Sequence, residues 1–480
     1  MIADERSQIG DRDEICWMSA TDLARAIRRK QLSPVEVTRA VLNRIERLNS
    51  QLNAFVTLTP QAAMREARRA EQALMQRSAS IGPLHGVPFS TKDLVTTKGI
   101  RTTFGSPLFA DNIPTEDAPM VARLRAAGAI QLGKTNTPTF GWLGVTHNLL
   151  FGATRNPWNP DRTPGGSSGG AGAAVAAGMG PLAIGTDGGG SIRIPASFSG
   201  VYGIKPSFGR IPVYPPSGAW SLSHVGPMTR SVADAALMLN VSAGPDGRDQ
   251  YSLPAEKTDY VKALNGSLKD WRVAWCTDLG FTKAIDPEIK AICATAARRF
   301  REFGCRVETV KPNWPNPQKA WEGIFCGGIA ARLAPALKTR RSDIDPGLIT
   351  LIEKTQKWKQ NHYINAWLER LDWNTAIQRL FEKYTLLITP TLPCRPFAVG
   401  LDNPKSINGT RLAPYEWLTF TFPFNMTGNP AASIPCGFTT DGLPVGLQIV
   451  GRRFDDVSVL QASAAFEQAA PWADNRPSVG

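Results

Sequence analysis

Apolar residues at Val35, Val37, Val41 and Ile45 recur at helical intervals. Just ahead of them, Ser33-Pro-Val-Glu36 supplies a capping serine, a proline for the first helical position and a glutamate three residues after the cap. A helix running to Leu48 is predicted, and a further helix over residues 60 to 77, so the first eighty residues read as helical. From Gly86 the pattern changes. Val87-Pro-Phe89, Ala129-Ile-Gln-Leu132 and Leu182-Ala-Ile184 are short apolar runs suited to buried strands, and residues 118–127 and 169–177 carry helical spacing between them. Further along, Trp271-Arg-Val-Ala-Trp275 and Cys305-Arg-Val-Glu-Thr-Val310 read as strands flanking a helix at about 286–302. A long helical stretch is predicted over roughly 345–383, followed by strands at 386–388, 431–434 and 446–450 and a helix over 457–469.

This alternation predicts an α/β fold, a central mixed sheet flanked by helices on both faces. No linker or internal repeat interrupts the chain, so one continuous domain over residues 1–480 is expected. Its parts are N-terminal helices (about 18–80), a core (about 81–245), a variable helical cover (about 250–385) and the completion of the core (about 386–475).

Composition narrows the class. Hydrophobic residues make up 42% and charged residues 20% of 480 positions, as in a globular protein with a large core. The 43 glycines and 37 prolines are dispersed, which fits a loop-rich enzyme better than an array of modules. No apolar run reaches transmembrane length and the start lacks the layout of a signal peptide, so a cytoplasmic location without membrane contact is expected. Seven cysteines without C-x-x-C spacing argue against a disulfide framework or a zinc site and read mostly as buried thiols. The net charge of +13 suggests anionic partners, but Arg25, Arg28, Arg29, Lys30, Arg39, Arg44 and Arg47 fall at helical spacing, as on solvated faces. No aromatic platform accompanies them, so no nucleic-acid partner is expected.

The chemistry lies in three segments. Thr163-Pro-Gly-Gly-Ser-Ser-Gly-Gly-Ala-Gly172 and Gly185-Thr-Asp-Gly-Gly-Gly-Ser-Ile-Arg-Ile-Pro195 set Ser167 and Ser191 in glycine-rich loops, and Gly86-Val-Pro-Phe-Ser-Thr-Lys-Asp93 supplies Lys92. A serine hydroxyl is a weak nucleophile at neutral pH and needs a positioned base, which a desolvated lysine can be. Glycines beside a serine leave backbone N–H groups open to a developing oxyanion. Two other motifs match on paper. Gly165-Gly-Ser-Ser-Gly169 fits the nucleophile-elbow pattern G-x-S-x-G, which would make Ser167 the nucleophile. An elbow needs a preceding strand and a histidine, whereas Asn159-Pro-Asp-Arg-Thr-Pro164 precedes it and only His85, His147, His224 and His362 exist. Residues 128–135 fit the P-loop pattern, but their apolar interior reads as strand and Pro138 opposes an immediate helix.

The three segments resemble the amidase signature family of serine hydrolases. Matching phrases continue in Lys134-Thr-Asn136, Phe151-Gly-Ala-Thr-Arg-Asn-Pro-Trp158, Gly226-Pro-Met-Thr-Arg230, Thr389-Pro-Thr-Leu-Pro393 and Gly442-Leu-Pro-Val-Gly-Leu-Gln-Ile-Val-Gly451, so the likeness spans roughly residues 18–475. The resemblance implies Ser191 as nucleophile, Ser167 as the bridging serine after a cis peptide bond, and Lys92 as base. It further implies an oxyanion hole from the N–H groups of Gly188, Gly189, Gly190 and Ser191, with Asp187, Arg193 and Ser168 in support. Asp187 and Arg193 could equally be an ordinary loop salt bridge. Asp93 beside Lys92 would raise the lysine pKa if it faced the amine, and is expected to point away. Position 199, commonly cysteine in the family, is serine here.

The substrate is less legible. Thr137-Pro-Thr-Phe-Gly-Trp142 resembles stand-alone amidases acting on hydrophobic amides, anilides and carbamates. Gly141 and Trp142 fall where the family lines its cavity, although Trp142 could simply be a packing aromatic; Phe325, Trp367 and Trp417 lie in regions that often cover it. The alternative is the glutamine-hydrolysing component of a tRNA-dependent amidotransferase, whose members usually read Lys-Thr-Asn-Met-Asp-Glu-Phe-Ala at residues 134–141. A small-molecule amide or carbamate, no cofactor or metal, and a monomer or homodimer complete the expectation.

Overall fold

The computed structural model describes residues 12–76 and 81–479. Its centre is an eleven-stranded sheet. In chain order the strands are β1 (Phe55–Leu58), β2 (Pro88–Lys92), β3 (Ile130–Thr135), β4 (Leu182–Asp187), β5 (Tyr202–Lys205), β6 (His224–Thr229), β7 (Arg272–Trp275), β8 (Arg306–Thr309), β9 (Leu386–Pro390), β10 (Ala431–Phe438) and β11 (Pro444–Gly451). Across the sheet they lie in the order β1-β3-β2-β4-β6-β5-β10-β11-β9-β7-β8. The runs β3-β2-β4 and β9-β7-β8 are parallel, and the remaining pairings are antiparallel. The expected mixed α/β sheet is therefore present.

The main helices are α1 (Ala20–Arg28), α2 (Pro34–Leu52), α3 (Pro60–Met75), α4 (Pro119–Ala126), α5 (Gly169–Ala176), α6 (Arg193–Ser199), α7 (Val232–Ser242), α8 (Pro287–Arg299), α9 (Gln318–Thr339), α10 (Pro346–Gln356), α11 (Gln360–Lys383) and α12 (Asp456–Ala469). The capping box at Ser33 and Glu36 forms as the sequence predicts. Residue 77, the expected end of α3, lies outside the described residues. Arg44 departs from the solvated face assigned to it: it is buried, donates from Nε to the Ala177 carbonyl at 2.7 Å and lies 4.8 Å from the Trp17 ring. Six cysteines are buried and Cys436 is partly so, all as free thiols. Among the described residues, no helix is long and apolar enough to cross a membrane.

Several elements go beyond the sequence pattern. Strand β1 interrupts the helical N-terminus, and β5, β6 and α6 are buried so completely that no polar face marks their period. Helix α9 escaped prediction because Gly327, Gly328 and an internal Pro335 depress its helix propensity. The single helical run expected over 345–383 is two helices, α10 and α11.

Parallel pairing is what places the chemistry. Phe89 pairs with Leu182 and Thr91 with Ile184, so β2 and β4 end side by side. Lys92 closes β2, and β4 runs through Thr186 into the glycine loop. Crevices at the carboxyl ends of parallel strands are where α/β folds bind ligands. Helix α5, starting beside Ser168, packs with almost no clearance: a Cβ on Gly170 would lie 2.4 Å from the Asn136 nitrogen. At the sheet edge, a Cβ on Gly133 would lie 2.1 Å from the Thr57 carbonyl oxygen of β1. Gly133→Ala is therefore expected to prise β1 from β3 at a cost of about 1–3 kcal/mol, read as a lowered urea or thermal unfolding midpoint.

Candidate active site

Lys92 is fully buried, and its Nζ is bonded to three hydroxyls: Ser167 Oγ at 2.7 Å, Ser168 Oγ at 2.9 Å and Thr186 Oγ1 at 2.8 Å. Among the described residues no carboxylate is hydrogen-bonded to it. Burial drives its pKa well below the ordinary lysine value, against a smaller opposing pull from Asp187. A neutral amine has two N–H donors and one lone pair, so one of the three hydroxyls must donate to it. Ser168 also spans the Thr186 backbone, accepting from its N–H and donating to its carbonyl, both at 3.2 Å. That leaves the hydroxyl hydrogens of Ser167 and Thr186 as the candidates to reach the nitrogen.

Asp93 faces away from Lys92, as expected. Its carboxylate accepts from the Thr103 N–H and hydroxyl, and it stands with the buried Lys134. Lys134 donates to the Val95 carbonyl and to Thr97 Oγ1 within a strand, which leaves no open phosphate loop at residues 128–135. Burial lowers its pKa to about 7 in spite of Asp93.

The peptide bond between Gly166 and Ser167 is cis. Gly166 is closed in by the Val145 carbonyl, 2.2 Å from where a Cβ would lie. Ser168 N–H donates to the Ser191 carbonyl at 3.1 Å, joining the two serine loops directly. Ser167 and Ser191 are both nearly buried and share the wall of a cavity of about 440 Å³. Gly141 lies against Ser167, since a Cβ there would meet Leu94 at 2.8 Å and Ser167 Oγ at 3.1 Å, and its φ is +73°. Only glycine fits both demands.

Asp187 and Arg193 form a bidentate pair, Nη2 to Oδ1 and Nε to Oδ2 each at 3.0 Å, with both side chains wholly buried. Burial opposes the Asp187 charge, but Arg193, Lys205 and the Asn425 amide outweigh it and hold the carboxyl below its usual range. Asp187 also receives the N–H groups of Gly190 at 2.7 Å and Ile192 at 3.2 Å. Gly190 thus departs from the oxyanion-hole expectation, because its N–H is turned to this carboxylate. The carbonyls of Gly188 and Gly189 are pinned by Trp321 Nε1 at 3.0 Å and Thr421 Oγ1 at 2.7 Å. A trans peptide sets N–H opposite C=O, so the Trp321 bond also fixes the direction of the Gly189 N–H.

The histidines stand elsewhere. His85 Nε2 meets the Ala70 carbonyl at 2.9 Å; His224 Nε2 meets Lys205 Nζ at 3.2 Å and its Nδ1 meets the Leu222 carbonyl at 2.9 Å. Among the described residues neither is hydrogen-bonded to Ser167 or Ser191.

Of the residues expected to shape the cavity, Gly141 and Phe325 do so. Trp142 does not reach the large cavity. Its ring packs against Gly347, 2.7 Å from where a Cβ would lie, and walls only a small neighbouring recess. Trp417 stacks on Phe198 in the core, and Trp367 lies under the Arg370 guanidinium. Sequence reasoning missed Thr186, although its place between Gly185 and Asp187 was a usable signal. It also missed Phe104, Phe109 and Phe140, packed with ring centroids 5.1–6.3 Å apart, and the segment 212–219, which carries a cis Tyr214–Pro215 bond. Among the described residues, Arg332 is the one charged residue in the cavity wall.

Arg193→Met would strand the buried Asp187 charge and should cost about 3–5 kcal/mol. A thermal melt checks it. Adding Asp187→Asn to that variant should restore part of the loss, since the orphaned charge is then gone.

The amidase family model matches residues 36–460. An acylamidase of Rhodococcus erythropolis is 42% identical over 468 residues, covering 96% of this chain and 97% of that protein. A glutamyl-tRNA(Gln) amidotransferase subunit of Moorella thermoacetica is 39% identical over 492 residues, covering 97% and 99%. Among solved structures, a bacterial aryl acylamidase of the amidase signature family superposes with a TM-score of 0.89 at 34% identity, covering 95% of this chain and 97% of that one. A 6-aminohexanoate cyclic dimer hydrolase complexed with substrate gives 0.88 at 31% identity, covering 97% and 99%. With a matched family model over most of its length and full-length relatives well above 30% identity, the chain belongs to the amidase signature family and is an amide hydrolase.

Proposed function

We propose that this enzyme cleaves the C–N bond of hydrophobic small-molecule amides, anilides or carbamates with Ser191 as nucleophile, Ser167 as proton bridge and Lys92 as base. The observation that carries the reading is a fully buried lysine, bonded among the described residues only to hydroxyls, behind the serines of a largely apolar cavity. Lys92 Nζ takes the Ser167 proton as Ser167 Oγ takes that of Ser191, and Ser191 Oγ attacks the carbonyl carbon. N–H groups of Gly188, Gly189 and Ser191 receive the oxyanion, each such donor contributing typically ~10²–10³ in rate. As the C–N bond breaks, the leaving nitrogen takes a proton from Ser167, which recovers one from Lys92, and water, deprotonated through the same relay, then hydrolyses the serine ester. Ser168 and Thr186 hold the amine in place, and Arg193 keeps Asp187 from recharging it.

A second reading, glutamine hydrolysis within a tRNA-dependent complex, has the 39% identical amidotransferase relative as its support. The cavity favours the first. Leu94, Val95, Phe104, Met120, Phe140 and Ile329 make most of its wall apolar, with Tyr214, Ser217, Ser223 and Arg332 as a polar minority, which suits an apolar substrate better than a glutamine side chain.

The test is release of nitroaniline from 4-nitroacetanilide by the purified chain alone. Turnover is expected and should fall at least about 10⁴-fold in Ser191→Ala; wild-type rates in that variant would remove the proposed nucleophile. No release, with glutamine hydrolysed once amidotransferase partners are added, would establish the second reading. The pH profile tests the base. Lys92 must be neutral to accept a proton, so kcat/KM should drop as pH falls through its lowered pKa and level off above it. Lys92→Ala should lose about 10²–10⁴-fold, most at neutral and lower pH, because hydroxide replaces the base as pH rises.

A further inference from the structure

Two cavities meet at Ser191. Beside the large cavity of about 440 Å³ lies a recess of about 10 Å³, and both have Gly141, Ser191 and Phe325 in their walls. A space of that size admits one water molecule or one methyl group. Its remaining wall is mostly apolar and set: Leu143, Ile194 and Leu418 are buried, Tyr415 meets Trp321 edge-on at 5.3 Å, and Trp321 stacks on Phe325 at 4.7 Å and on Phe422 at 5.2 Å while bonded to Gly188. A Cβ on Gly189 would already lie 2.5 Å from Trp321, so the ring has no freedom to withdraw toward that loop.

Resting on the proposed roles of Ser191 and Ser167, we infer that these cavities divide the substrate: the small recess takes the acyl group and limits it to acetyl size, and the large cavity takes the amine. The proton path decides the orientation. The leaving nitrogen must reach Ser167 Oγ to be protonated as the C–N bond breaks. Ser167 and Thr186 open into the large cavity, and neither contributes to the wall of the recess. With the nitrogen on that side, the carbonyl substituent points across Ser191 into the recess. The large cavity, with its Phe104, Phe109 and Phe140 cluster, then receives an aromatic or bulky apolar amine. The substrate class is N-acetylated arylamines and similar short-acyl amides, rather than long-chain primary amides.

The experiment is a series of 4-nitroanilides of acetic, propionic, butyric and hexanoic acids, assayed with the intact enzyme, beside N-acetyl derivatives of larger arylamines and hexanamide. Forcing extra methylenes into a filled apolar space costs roughly five- to a hundredfold, so kcat/KM should fall about tenfold or more from acetyl to butyryl. Enlarging the arylamine should change it less than about threefold, since the cavity there has room to spare. Leu418→Ala, and independently Leu143→Ala, should move the preference toward propionyl or butyryl; the wild-type series decides the matter if either variant folds poorly. Hexanoyl anilide turned over as well as the acetyl compound, or hexanamide preferred to both, would overturn the division while leaving the proposed hydrolysis intact. Hydrolysis of none of the series would overturn the amide and anilide part of the proposed function and the division with it.

Discussion

The site depends on keeping one amine out of water without giving it a counter-ion. Burial alone favours neutral Lys92, and any carboxylate against it would undo that. Both nearby acids are disposed of in the fold. Asp93 follows Lys92 in sequence yet turns to the opposite side of the strand, where Thr103 and Lys134 meet it. Asp187 sits at the end of the adjacent strand with its charge met by Arg193 on both oxygens. Three hydroxyls remain to hold the nitrogen, and hydroxyls orient an amine without charging it.

Arg193 is correspondingly a hub of the region. Besides Asp187 it donates to the Thr421 carbonyl, Gln448 Oε1 and Asn425 Oδ1 at 2.7–2.9 Å. One buried guanidinium thereby fastens the Ser191 loop to β11 and to the segment before β10. Asn425 and Thr421 bond back to Asp187 and Gly189, so the loop is held from both sides. A glycine-rich loop would otherwise have too much backbone freedom to present N–H groups in one direction.

Much of this was legible in the sequence, for physical reasons that differ by residue. Lys92, Ser167 and Ser191 stood out because glycine-rich loops and a lysine among apolar neighbours are costly unless used. The direction of Asp93 followed from the electrostatics that Lys92 requires. Strands β2, β3 and β4 announced themselves as short apolar runs, whereas β5 and β6 carry no alternation because both their faces are covered. The commitment of the Gly190 N–H to Asp187 could not be read, since it depends on how a loop of three glycines turns. Nor could the placement of Trp142, which is decided by Gly347, far along the chain. Helix α9, which brings Trp321 and Phe325 against the serine loop, was hidden by its glycines and Pro335.

The reach of Arg193 bears on how the protein is made. Its partners at Thr421, Asn425 and Gln448 are among the last parts of the core to leave the ribosome. Without them Arg193 keeps only Asp187 as a partner, and the Ser191 loop lacks its anchors on β11 and on the segment before β10. A chain that stops before residue 421 therefore carries Lys92 and both serines without the contacts that hold the Ser191 loop in place.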